Sequence, residues 1–327
     1  MADITKVQYF VVIFSLVVFV AAVLLGYIGQ MNTEVFTNTT GGITEKYYQL
    51  STPASVSFGV AWATIYVWNL VASVYLTVTL FLPSYKSPLK QEPPLLSNLY
   101  FIFHGVAFAS TFAWILVFDR ELLELSLAVI ILCMISVYAI IVMACKPLAD
   151  SIENGRIDET AECKVMIWCV RIIVQNGLGV FAAWITIATC LNLGIVITYK
   201  SSAGMTKAVM RGISVEDGST IPVVIVLVAI VAWMVIDNFV WNKYTNYLFS
   251  PYPILILALG GLVGKRQSQG GSTRILIIAS VALGIAVLAT LIKIGVFLFR
   301  HLKNNKVGKN ILEEDENGTS GKVTSDL

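Results

Sequence analysis

Residues able to do chemistry recur at helical spacing in this chain, almost all of them inside apolar stretches. Phe58, Trp62, Tyr66, Asn69 and Ser73 step by four, four, three and four, which places them along one face of a helix. Aromatic rings with a phenol and an amide on one face can stack on a flat apolar molecule and hydrogen-bond its polar edge. Trp184, Ala188 and Asn192 repeat the theme at i, i+4 and i+8. His104, Phe108 and Thr111 form a further stripe, with Trp114 one step round from it. The competing reading is helix–helix packing, with indoles near the membrane surface forming an aromatic belt. A second chemistry is a polar relay through His104 and Asp237, because histidine changes charge near neutrality. Against it stand a hydrogen-bonded packing histidine and an aspartate that faces water. Arg171 and Lys293 lie where long side chains can snorkel to lipid headgroups.

No enzyme motif is present. Two histidines cannot build a multi-histidine metal site, and there is no H-E-x-x-H, G-x-S-x-G or Walker-type loop. Cys163 and Cys169 lack metal-ligand spacing and a second pair. Gly260-Gly261-x-x-Gly264 reads as close helix packing.

The elements that must position these residues are membrane spans. Of 327 residues, 57% are hydrophobic and 13% charged, against about 45–50% and about 25% in an average soluble domain. That little charge cannot cover a water-soluble globule, which excludes a soluble enzyme. A net charge of +2 offers no basic stripe for nucleic acid. A bilayer core about 30 Å thick takes about 20 apolar residues in a helix. Eight runs qualify, over 7–29, 56–82, 96–118, 124–145, 172–198, 222–241, 247–264 and 275–299. The count falls to seven if 247–264, which opens Ser250-Pro251-Tyr252-Pro253, does not cross. The first run is too long for the apolar region of a signal peptide and reads as a retained helix. The fold class is an all-α polytopic membrane protein, with residues 1–304 as a transmembrane helical domain. Residues 305–327 are short, polar and acidic, and read as a disordered cytosolic tail.

Loop charge puts both termini in the cytosol, and Asn38-Thr39-Thr40 is then an N-glycosylation sequon in the first outside loop. The expected location is the plasma membrane or a secretory-pathway membrane. The chain closes on Ser325-Asp326-Leu327, the form a PDZ domain captures by strand addition. The five cysteines (Cys133, Cys145, Cys163, Cys169, Cys190) avoid the outside loops, so no disulfide framework is expected. Cys145 and Cys169, near the inner interface, read as packing residues or as acylation sites.

At three places the sequence resembles the tryptophan-rich sensory proteins, relatives of the translocator protein (TspO/MBR) family. Thr40-Gly41-Gly42-Ile43-Thr44-Glu45-Lys46-Tyr47-Tyr48-Gln49-Leu50-Ser51-Thr52-Pro53-Ala54, running into Phe58-Gly59-Val60-Ala61-Trp62-Ala63-Thr64-Ile65-Tyr66, is similar to their T-G-E-I-S-D-x-Y-x-x-L-x-T-P-A-G followed by F-S-I-W-x-L-I-Y. Ala183-Trp184-Ile185-Thr186-Ile187-Ala188-Thr189-Cys190-Leu191-Asn192 is similar to their G-W-I-x-V-A-T-x-A-N. Ser250-Pro251-Tyr252-Pro253-Ile254-Leu255 resembles their late Pro-Tyr segment. Ser55 stands where the family has Gly, and one residue is inserted between Pro53 and Trp62. The resemblance implies a helical bundle with a tryptophan-lined cavity for a hydrophobic ligand such as a porphyrin or a sterol. Trp62, Tyr66, Trp184 and Asn192 carry over as cavity residues; helical phase adds Phe58, Asn69 and Trp114. The alternative is a small-molecule or ion transporter or channel using His104 and Asp237.

Overall fold

The computed structural model describes residues 4–29, 31, 36, 38–157, 161–270 and 272–320, without the side chains of Ala161 and of residues beyond Lys303. The apolar runs form α1 (Lys6–Ile28), α3 (Ser55–Thr79), α4 (Asn98–Asp119), α5 (Leu123–Glu153), α7 (Asn176–Thr198), α8 (Val215–Val235), α10 (Pro251–Gln269) and α11 (Thr273–Ser320). Shorter helices are α2 (Thr40–Lys46), α6 (Ala161–Cys169) and α9 (Asn242–Thr245). Two stretches are π-helical: Val170–Gln175, which joins α6 to α7, and Ile236–Val240, which prolongs α8. A two-residue ribbon, β1 (Tyr199–Lys200) and β2 (Val209–Met210), pairs Tyr199 with Met210 and Lys200 with Val209.

Among the described residues, seven helical units are long and apolar enough to cross a membrane: α1, α3, α4, α5, Glu162–Thr198, Val215–Val240 and Thr273–Lys303. The segment 247–264, the eighth candidate, becomes α10, which begins at Pro251 and is not one of the seven. Its closing residues include Lys265 and Arg266, which dilute its apolar content.

The most enclosed unit is Glu162–Thr198, with 67% of its span window buried. Its α7 portion packs on α3, α5, α8 and α10, while α4 lies between α1 and α5. The sequence dictates this centre. Gly177, Gly179, Ala182 and Ala183 thin the surface of α7, and larger neighbours close on it. A Cβ on Gly177 would stand 3.0 Å from the Trp68 ring. On α11, Ala279, Ala282, Ala286 and Ala289 are all buried, a three-four-three seam facing α8 and α10. Outward faces are apolar too: Val56, Val60, Val67, Val71, Val74 and Val78 of α3 are exposed. In water that would be costly; against lipid tails it is not.

Contacts between ends give the direction of each helix. At one end, Lys46 meets Glu121, Arg211 meets Glu124 and Arg274 meets Asp217. This end is the cap. At the other, Gln8 Nε2 donates to the Leu89 carbonyl and Lys146 and Lys243 meet Asp150. This end is the base.

Candidate functional site

The face read from α3 turns only partly inward: the fully buried line of the helix runs through Ser57, Ala61, Ile65, Asn69 and Ala72. Asn69 and Ser73 are buried, Phe58, Trp62 and Tyr66 half-buried. Phe58 meets Trp184 of α7 edge-on, centroids 5.1 Å apart and planes at 89°. Trp62 and Tyr66 stack on each other at 5.4 Å, and Tyr66 reaches α1 beside Gly26. Asn69 Nδ2 donates to the carbonyls of Ile65 (2.8 Å) and Gly177 (3.2 Å). Trp114 stacks on Phe118 at 4.9 Å. Asn192 exchanges hydrogen bonds with the Ser126 hydroxyl, its Nδ2 lying 3.1 Å from Oγ. Of the seven residues, Phe58 meets Trp184 and Trp62 meets Tyr66, whereas Asn69, Trp114 and Asn192 engage neighbours outside the set. Three polar atoms among them are shielded and without a partner: Trp114 Nε1, Trp184 Nε1 and Asn69 Oδ1.

One partner on this wall escaped sequence reasoning. Trp68 donates its indole N–H to the Ile172 carbonyl, 3.1 Å away. The π-helical turn offsets carbonyls from their usual donors, and side chains answer. Trp68 bonds Ile172, and Asn176 Nδ2 bonds the carbonyls of Arg171 and Tyr247 at 2.8 Å. Arg171 lies 3.8 Å from the Tyr247 ring centre and 5.4 Å from that of Trp168. It is buried rather than extended to the headgroups.

The two residues of the expected relay lie in separate clusters. His104 Nδ1 is 2.8 Å from the Ser15 hydroxyl of α1, enclosed by Phe19, Tyr100 and Phe108. Asp237 sits in the π-helical end of α8 and is 0% exposed. It does not face water, and Lys293 does not snorkel. Lys293 Nζ donates to Asp237 Oδ1 at 2.8 Å and to the Thr245 carbonyl at 2.9 Å. On the other carboxylate oxygen, Tyr252 Oη donates to Oδ2 at 2.5 Å. Lys293 is 1% exposed. Burial of both charges explains the correction: a lysine whose turn of helix faces a carboxylate is neutralised in place and has no need to reach water. The residues nearest in sequence gave no sign of it, since 56 positions separate the pair.

Beside α7, on the side away from α3, lies an apolar crevice of about 40 Å³. It is lined by Ala183, Thr186, Val226, Trp233, Pro251 and Leu255, among others. Tyr138 and Thr186 pair their hydroxyls at 2.9 Å on one wall, and the Trp233 indole N–H has no acceptor. Helical phase on α3 and α7 did not point here, because the crevice faces α5, α8 and α10.

The cap is a second polar region. Glu121 Oε2 accepts from Lys46 Nζ and from Tyr47 Oη, each at 2.5 Å. Glu121 adopts φ +57°, a conformation that costs a residue with a side chain about 1–3 kcal/mol. Its two donors hold it there. Burial and the neighbouring Glu121 raise the Tyr47 phenol above its ordinary range. Asn38, the sequon residue, is half-buried, and its Nδ2 donates to the Asp119 carbonyl at 3.1 Å. The carboxy-terminal Ser325-Asp326-Leu327 lies outside the described residues. Among the described residues no group of three or more His, Cys, Asp or Glu side chains could hold a metal ion, and no disulfide joins the cysteines.

No curated protein and no solved structure gives a significant match to the chain. A protein-family model described as TSPO-like protein matches residues 10–294. That match runs from α1 into the last span, over the aromatic wall and the Asp237–Lys293 pair alike. The chain belongs to the TSPO-like protein family.

Proposed function

We propose that the protein binds a flat hydrophobic molecule, porphyrin- or sterol-like, drawn from the bilayer to the aromatic wall of α3, α4 and α7. The observation that carries this reading is the set of shielded polar atoms without partners on Trp114, Trp184 and Asn69. A buried donor or acceptor left unpaired costs about 1–3 kcal/mol; a ligand oxygen facing the indoles, or a ligand hydroxyl or N–H facing Asn69, would recover that cost. Phe58, Trp62 and Tyr66, half-buried, form the approach; Trp184, fully buried, is the deep end. Ring contacts add about 0.5–1.5 kcal/mol each beyond burial. Asn192 and the Tyr66 hydroxyl orient the polar edge. The role is sensing or handling the ligand, with no chemical conversion of it.

The test is a titration of purified protein with a porphyrin and with a sterol, read by quenching of intrinsic tryptophan fluorescence. Trp184→Ala weakens binding about tenfold or more, equivalent to about 1.4 kcal/mol. A variant that only melts earlier, with unchanged affinity in its folded fraction, would reduce the wall to packing. A second reading, a small-molecule or ion transporter, is favoured by the charged pair at membrane depth. Flux into proteoliposomes separates the two.

The reading includes cytosolic termini and a glycan on Asn38. Glycosidase treatment that fails to shift the protein, made in a glycosylating host, relative to Asn38→Gln would remove the glycan and the support it gives to this orientation.

A further inference from the structure

At the cap end of α10 a buried cation has no counter-charge, and an apolar seam leads up to it. Arg266 is 3% exposed. Its Nη1 donates to the Tyr48 hydroxyl at 3.0 Å and its Nη2 to the Gln269 side-chain carbonyl at 3.1 Å, both neutral groups. Its Nε is shielded and without a partner. Lys265 beside it is half-buried, its Nζ 3.5 Å from the Pro53 carbonyl. Among the described residues neither cation meets a carboxylate, and at the same end Glu216 and Asp217 are taken by Arg274. Buried charges are ordinarily paired, so this end of α10 is built for an anion that the chain does not itself supply. The Ser51 hydroxyl, also buried, has no partner either.

The seam follows from how the helices meet. α8 and α10 each pack on α7 and on α11 but scarcely on each other. Between them the crevice of about 40 Å³ that ends at Trp233 and Pro251 adjoins a second of about 20 Å³, the two sharing Ile187 and Val226. Ser51, Pro53 and Pro222 close the second towards the cap. Leu255 lines the first space and Leu259 and Leu262 the second. With Arg266 they step by four, three and four, which puts the guanidinium on the same line of α10, one turn beyond the seam. From Pro251 to Arg266 the helix rises about 22 Å at 1.5 Å per residue. Tyr138, on the wall of the first space, is 37% exposed, so the seam opens on the lipid. Spaces this narrow suit one methylene chain, entering as α8 parts from α10, and exclude a fused ring system.

We propose that this seam binds a long-chain fatty acid, its chain lying between α8 and α10 against α7 and its carboxylate held by Lys265 and Arg266. The carboxylate supplies the charge that Arg266 lacks, in the planar form a guanidinium matches. Gln269, an exposed side chain, gives way to it, and Ser51 Oγ is a further donor at the mouth. The tail reaches Trp233 and Pro251. The site lies across α7 from the aromatic wall and does not depend on ligand binding there.

Two photoreactive palmitic acids test this on the full-length protein in lipid nanodiscs, one with its diazirine at the tail and one with it beside the carboxyl. Labelled residues are located by peptide mass. The expected result is that the tail probe marks α8 and α10 near Trp233 and Pro251, and that the carboxyl-end probe marks Leu262 or the Ser51–Pro53 segment. Palmitate competes with both, and methyl palmitate competes at least tenfold less well, because it has the chain without the charge. Lys265→Gln with Arg266→Gln lowers labelling about tenfold in protein that remains folded. A methyl ester that competes as well as the acid would overturn the proposal, since chain burial alone would then explain the binding. So would labels in the reverse order, labels spread over the lipid-facing valines of α3, or displacement of the probes by lysophosphatidic acid at lower concentration than by palmitate, which would mark a phosphate site. The acid–ester comparison is read on the wild type, so a variant that fails to fold does not rescue the idea.

Discussion

Two lysine–carboxylate pairs brace opposite ends of the bundle, and they are not equivalent. At the cap, Lys46 and Glu121 lie 2.5 Å apart with side chains 15% and 8% exposed. Lys46 also bonds the carbonyls of Ser202 and Met205, and Tyr47 donates to the same Glu121 oxygen. Near the base, Lys293 and Asp237 lie 2.8 Å apart at 1% and 0%. The first pair sits at the water boundary, where either charge keeps some solvation if its partner is lost. The second has none to fall back on. Identical chemistry therefore contributes differently: the cap pair fastens loops, whereas the deep pair decides whether α8, α10 and α11 stay together.

The largest effect that would break this comparison is expected at the deep pair. Asp237→Asn or Lys293→Met alone leaves an unmatched charge or its partners unsatisfied, and costs about 3–5 kcal/mol. The double variant Asp237→Leu with Lys293→Leu recovers most of that loss, since apolar replacement of a buried pair is often neutral. Thermal melts of the two singles and the double in one lipid environment decide it. Singles no worse than the double would mean that the pair is solvated after all.

A smaller effect is expected at the cap. Glu121→Gln keeps the shape but weakens two charge-assisted hydrogen bonds, at about 1–3 kcal/mol. The wild-type advantage over Glu121→Gln should shrink with added salt, while the advantage over the deep-pair variants should not, because charges at the water boundary are screened and buried ones hardly. Equal salt response at both ends would erase the distinction.

Smaller still is the exposed pair Arg274–Asp217, both side chains about half exposed. Arg274→Gln is expected to leave the melting temperature almost unchanged, because solvent screens an exposed pair; a thermal melt beside Glu121→Gln checks it.

A pH scan sharpens the comparison from the cap side. The Tyr47 phenol is raised by burial first and by Glu121 second, so folding favours its neutral form. That contribution is whole below the ordinary tyrosine value of about 10 and is lost as pH rises above it. Wild type should lose more melting temperature between about pH 9 and 11 than Tyr47→Phe does. Parallel curves would mean that the phenol is free to ionise.

The α3 stripe was legible in part: spacing alone groups Phe58, Trp62, Tyr66 and Asn69, but the inward line of the helix runs beside the aromatics through Ser57, Ala61 and Ile65, set by how the helix packs. The contacts of that stripe were not legible: Phe58 finding Trp184, and Trp68 finding Ile172, depend on how α3 crosses α7. Lys293 was misread for a related reason. Near the end of an apolar run it looks free to snorkel, and only the packing of α11 on α8 supplies Asp237. The π-helical stretches at Val170–Gln175 and Ile236–Val240 have no residue signature, since the same apolar residues suit an ordinary helix. The relay through His104 and Asp237 paired two rare polar residues by rarity; His104 found Ser15 instead.

Hydrophobic-ligand binding at the aromatic wall is tested most directly by Trp184→Phe. The change keeps an aromatic ring beside Phe58 but removes the indole N–H, which has no acceptor in the fold, together with the rest of the five-membered ring. The account predicts a lower melting temperature, from the space the smaller ring leaves in the core, together with several-fold weaker binding, in the folded protein, of a porphyrin or sterol bearing an acceptor oxygen. Unchanged affinity in the well-folded Trp184→Phe protein would contradict it.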